Sequence, residues 1–122
     1  MSAPDLLTAE LHDRLLANGR DPDRDHVPVV KLFNPCGAAT WLATEADGDG
    51  DTLFGLADLG MGCPEMGSFS LAELAALRLP FGLRIERDLY FRTDQPLSVW
   101  ADLARSAGSI MDAERIVGAV PG

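Results

Sequence analysis

The sequence predicts an α+β fold. One domain spanning residues 1–122 is expected, with a mostly antiparallel sheet of about four to five strands and two to three helices packed on one face. Three observations lead there. Short β-branched and aromatic runs cluster between residues 29 and 59, joined by links too short for helical crossovers. Amphipathic patterns with helix-start signals lie before and after them. A chain of 122 residues, 47% hydrophobic and 24% charged, can bury about two-thirds of its surface and needs no metal or disulfide staple.

Taken in order, Thr8 is an N-cap, Leu11, Leu15 and Leu16 follow at helical spacing, and Asn18-Gly19 supplies a left-handed stop, so residues 9–18 read as a helix. Residues 20–28 are polar and proline-bearing, hence a surface loop. Val29 to Phe33, Thr40 to Glu45 and Leu53 to Leu59 read as strands, and Asp47 to Asp51 turns the chain between the last two. Glycine-rich residues 60–67 follow, with Phe69 in a short fourth strand. Ser70-Leu71-Ala72-Glu73 is a capping box opening a helix that Pro80 ends. Leu83 to Asp88 alternates as a strand. Ser98 caps a last helix with Trp100, Leu103 and Ala107 on one stripe, and residues 109–122 form a short helix or a frayed tail.

Nineteen acids face ten bases, for a net charge of −9. Residues 1–60 hold eleven acids and four bases (−7), and residues 61–122 hold eight and six (−2). Such a surface repels phosphate, which disfavours direct nucleic-acid binding and anionic membranes and favours a protein partner with a basic surface. No apolar run is long enough to span a bilayer. The opening Met1-Ser2-Ala3-Pro4-Asp5 lacks a signal-peptide pattern, and two cysteines make no disulfide framework, so a cytoplasmic location is expected.

No cofactor motif is present. Asp47, Asp49, Asp51 and Asp58 mimic part of a calcium-loop spacing, but Thr52 stands where the sharp turn needs glycine. Gly60, Gly62 and Gly67 fit neither phosphate-loop pattern and read as a turn. Cys36, Cys63, His12 and His26 lack zinc spacing. Glu45, Asp58, Glu65, Glu86 and Asp88 fall at or near strand ends or in the glycine-rich link, where carboxylates either pair with Arg84, Arg87 and Arg92 or converge on a divalent cation. Arg87 shares the alternation of Leu83 and Ile85, so its guanidinium faces the core side and calls for a carboxylate partner or a ligand anion. Trp41 and Trp100 are core candidates; exposed alongside Phe81, Tyr90 or Phe91, either would mark a protein-binding patch.

From Pro28-Val29-Val30-Lys31-Leu32-Phe33 through Thr40-Trp41-Leu42-Ala43-Thr44-Glu45, Phe54-Gly55-Leu56-Ala57-Asp58-Leu59-Gly60, Cys63-Pro64-Glu65-Met66-Gly67, Ser70-Leu71-Ala72-Glu73-Leu74 and Glu86-Arg87-Asp88, the chain resembles an uncharacterised bacterial domain-of-unknown-function family. The likeness covers most of residues 6–100, with Met66 where that family has leucine. It implies a context of plasmids, phages and conjugative elements and supplies no activity or site.

Two functions follow as expectations. The first is a non-enzymatic accessory protein that binds another protein, with Asp47, Asp49, Asp51 and Trp41 as contact candidates; one version inhibits a host nucleic-acid-directed defence enzyme by occupying its basic groove. The alternative is a small divalent-cation-dependent hydrolase or nuclease using Glu45, Asp58 and Glu65, with Arg87 steadying the substrate.

Overall fold

Residues 40–46, Thr-Trp-Leu-Ala-Thr-Glu-Ala, carry apolar or small side chains at both parities, the pattern of a strand covered on two faces. They form β2 (Thr40–Ala46), the middle of a five-stranded antiparallel sheet in a computed structural model that describes residues 6–119. The other strands are β1 (Val30–Phe33), β3 (Thr52–Asp58), β4 (Glu65–Ser70) and β5 (Glu86–Arg87), in the spatial order β4-β3-β2-β1-β5. The helices are α1 (Ala9–Gly19), α2 (Leu71–Ala76), α3 (Leu97–Ala107) and α4 (Ile110–Ala119). Residues 1–5, on which the leader reading rested, and residues 120–122 lie outside the described residues.

The α+β class and the antiparallel sheet are as the sequence indicates, but the helices do not share one face. Val30, Leu32, Trp41, Ala43, Ala46 and Leu53 form one core with Leu15 of α1 and Leu71 and Leu74 of α2. Leu42 and Leu56 form a second core with Trp100, Ala101 and Ala104 of α3 and Ile110 and Ala113 of α4. Because side chains alternate across a strand, these two sets lie on opposite faces, and β2 is the layer between them.

One bulge sets the orientation of Glu45. The β2–β3 register shifts between Ala43 and Glu45, leaving Thr44 as the extra residue, fully buried, with its hydroxyl donating to the Phe54 carbonyl at 3.2 Å. Trp41, Ala43 and Ala46 therefore share a face despite the break in alternation, and Glu45 is turned away from it.

Gly19 is not a left-handed stop: it lies inside α1, and a Cβ there would come within 2.2 Å of the Ala46 carbonyl oxygen. Its small size lets α1 lie on β2, where Asn18 donates from Nδ2 to the Thr44 carbonyl at 2.9 Å. Gly55 plays the same part within the sheet, its pro-Cβ position 1.8 Å from the Leu42 oxygen.

Further differences are local. The glycine-rich link is shorter than expected, because Glu65 to Gly67 already pair with Ala57 to Gly55. The helix opened by Ser70 ends at Ala76, before Pro80, which instead begins a 3-10 turn holding Phe81 at φ 63°. The late strand shrinks to Glu86–Arg87. Residues 110–119 are helical, and the last three residues of the tail lie outside the described residues.

Candidate functional site

The carboxylates singled out in the sequence are mostly occupied by backbone amides. Asp58 is fully buried at the end of β3; its Oδ1 accepts from the Gly60 amide and its Oδ2 from the Ile110 amide, both at 2.9 Å. It thereby closes the first turn of α4, across 52 residues of chain. Asp51 does the same for α2, accepting from the Ala72 amide at 2.7 Å and from the Ser70 hydroxyl at 2.6 Å. The capping box is thus half as expected: the Ser70 oxygen accepts from the Glu73 amide at 3.1 Å, while Asp51 takes the preceding amide, that of Ala72. For α3 the cap residue is Pro96, not Ser98; the Ser98 amide and hydroxyl donate instead to Asp25. Three aspartates from the first half of the chain thus terminate three helices of the second.

The arginines follow a parallel pattern. Arg84 donates to the Ala75 carbonyl at 3.0 Å and half-buried Arg87 to the Leu6 carbonyl at 2.8 Å. Arg87 faces the α1 side as expected, opposite Leu32, but its partner is a carbonyl where a carboxylate was anticipated. Among the described residues, ion pairs join Lys31 to Asp88 and Glu114, Arg105 to Asp102, and Arg115 to Asp112.

The four residues of the hydrolase expectation are scattered. Glu45 pairs with Phe54, four residues before Asp58 on β3, so a rise of ~3.4 Å per residue separates them by roughly 14 Å. Glu65 pairs with Ala57 and so points to the face opposite Asp58, and it is exposed on the edge strand β4. Arg87 lies on the other edge strand, β5. Among the described residues, no three His, Cys, Asp or Glu side chains gather as they would around a metal ion.

The protein-contact candidates also divide. Trp41 is buried in the α1-side core, which takes it off the surface, and Trp100 is buried with its indole N–H on the Thr93 hydroxyl at 3.1 Å. Asp51 is the cap just described. Asp49 stays exposed but folds back on the turn, where the Thr52 hydroxyl and the amides of Thr52 and Asp51 donate to it and lower its pKa to about 2. Asp47 is exposed, and it is part of an arrangement that sequence reading missed.

That arrangement is an acidic end. The close seating of Gly19 on Ala46 brings the loop after α1 beside the β2–β3 hairpin. Asp47 and Asp21 then each lie near enough to Glu45 to repel its charge. Glu45 binds its proton more tightly than an ordinary glutamate, chiefly because it is partly buried; His26 and the Thr44 hydroxyl oppose this, and Asp47 and Asp21 add to it. Asp23 is exposed on the same loop, and so are Arg20 and Arg24, neither in an ion pair among the described residues. No sequence motif joins residues 21, 45 and 47; only the α1–β2 contact does.

The sequence matches the family described as Protein of unknown function (DUF2958) over residues 6–111. The chain belongs to the DUF2958 family. No curated protein and no solved structure matches it. The matched stretch of this DUF2958 chain contains every strand, α1 to α3, and all three capping aspartates. Among the described residues, no helix is long and apolar enough to cross a membrane.

Proposed function

We propose that this chain is a non-enzymatic binding module that recognises a protein partner with a basic surface through its acidic end. The observation that carries the reading is that Asp21 and Asp47, from two separate segments, converge on Glu45, with none of the three carboxylates in an ion pair among the described residues. Holding like charges together costs stability, and a complementary partner relieves that cost on binding. Occupation of a basic nucleic-acid groove is one form such binding takes.

The test uses the full chain and a triple variant, Asp21→Asn, Glu45→Gln and Asp47→Asn. Basic partners captured at low salt are purified, and their affinity is measured at 50 and 300 mM salt. Support is a saturable complex that weakens at least tenfold with salt and at least tenfold in the triple variant at low salt. An affinity indifferent to both changes overturns the reading. Competition by DNA for the same partner identifies the groove-occupying form.

A further inference from the structure

A second concavity has the opposite character. Between the first half of α1 and the edge formed by β1 and β5 runs a groove of about 560 Å³ lined by Arg14, Arg87 and Arg92. Three of the ten basic residues of an acidic chain thus line one hollow. None of them is in an ion pair among the described residues, although nineteen acids are available. Two carboxylates share the groove. Lys31 divides its charge between Asp88 at 3.5 Å and Glu114 at 2.6 Å, so among the described residues three guanidiniums face two carboxylates, Glu10 and Asp88.

The surroundings suit a particular class of ligand. Arg87 is half-buried and tied on one side through Nη1 to the Leu6 carbonyl, so its position is set before anything binds. Thr8 and Thr93 also line the groove, Thr8 at the start of α1, where helix polarity favours an anion. The lining is mostly polar, with a smaller apolar part from Leu11, Val29 and Phe91, the last braced against Trp100 with ring centroids 6.0 Å apart. The planar, forked guanidinium matches the oxygens of a phosphoryl group, and a hollow of this volume holds a small organic molecule.

We infer that this groove binds a small phosphorylated molecule, its phosphoryl group on Arg14, Arg87 and Arg92 and its apolar part against Phe91, Leu11 and Val29. The site is distinct from the acidic end, which lies beyond the opposite end of α1.

The test titrates phenyl phosphate and adenosine monophosphate into the isotopically labelled chain at low salt, following amide shifts. Inorganic phosphate, phenol, adenosine and benzoate serve as comparison probes. Saturable shifts confined to residues 8–14 and 87–93 are expected for at least one phosphate monoester, with inorganic phosphate, benzoate and the unphosphorylated parent at least tenfold weaker. Arg14 and Arg92 are exposed and have no hydrogen-bonded partner among the described residues, so Arg14→Gln and Arg92→Gln should fold normally and each weaken the monoester about tenfold. The proposal is overturned if neither monoester binds at millimolar concentration, if a comparison probe binds as well, or if both variants bind like the parent chain.

Discussion

Asp58 separates a structural role from a catalytic one. Replacing it by alanine removes the acceptor for two amides, Gly60 and Ile110, each bonded at 2.9 Å to a fully buried carboxylate. Hydrogen bonds to a charged group contribute roughly 1.5–3 kcal/mol each, and a lost helix cap costs about 1 kcal/mol of that. Relief of the desolvated charge offsets part of the sum, so Asp58→Ala should destabilise by about 3 kcal/mol. Urea unfolding with a slope of ~2 kcal/mol/M would then move its midpoint by roughly 1.5 M. Asp58→Asn is the sharper probe. Its side chain keeps one acceptor and sets an NH2 group against the other amide, so it should lose about 2 kcal/mol despite being nearly isosteric. Hydrogen exchange at Ile110 and Gly60 should accelerate in both variants. An Asp58→Asn protein as stable as the parent, or a cost below about 1 kcal/mol for Asp58→Ala, would refute the capping account.

Three further outcomes are expected. Asp51→Ala should cost about 1–2 kcal/mol by urea unfolding and speed exchange at Ala72, because that amide and the Ser70 hydroxyl lose their acceptor; unchanged Ala72 protection would contradict this. The Asp49 carboxyl is held down at about 2 by Thr52 and the turn amides, so its contribution is fully present above its ordinary value of 3.8 and is lost as pH falls through the folded value. Thermal melts should accordingly show the parent exceeding Asp49→Ala at pH 5 and the gap closing toward pH 2, whereas a constant gap would argue against the turn bonds. Phe81 combines φ 63° with 95% exposure, so Phe81→Gly relieves backbone strain without uncovering packed surface and should stabilise by about 0.5 kcal/mol. A loss of 1 kcal/mol or more would mean that the ring packs against something.

What could be read along the chain was whatever a short window contains. Thr8 caps α1, Ser70 accepts from the Glu73 amide, and the apolar runs Val29 to Phe33 and Leu53 to Leu59 became β1 and β3 within a residue at each end. The two-faced burial of β2 was latent in Trp41-Leu42-Ala43, whose consecutive apolar residues an antiparallel sheet with one solvated face does not need. The caps at Asp25, Asp51 and Asp58 were illegible for a different reason. Their partners lie 73, 21 and 52 positions away, and an aspartate beside a turn looks the same whether it faces water or a distant helix. The acidic end and the arginine groove share this origin, since both depend on where α1 lands on the sheet. Gly19 permits that landing, yet in sequence it resembles an ordinary helix terminator.

The direction of the three long-range caps has a bearing on assembly. Each acceptor precedes the helix it completes, so during synthesis the carboxylates of residues 25, 51 and 58 leave the ribosome before the segments beginning at 71, 97 and 110. Cut between residues 60 and 70, the chain would yield a trailing fragment whose three helices all lack their aspartate acceptors, while the leading fragment would keep them with nothing to hold.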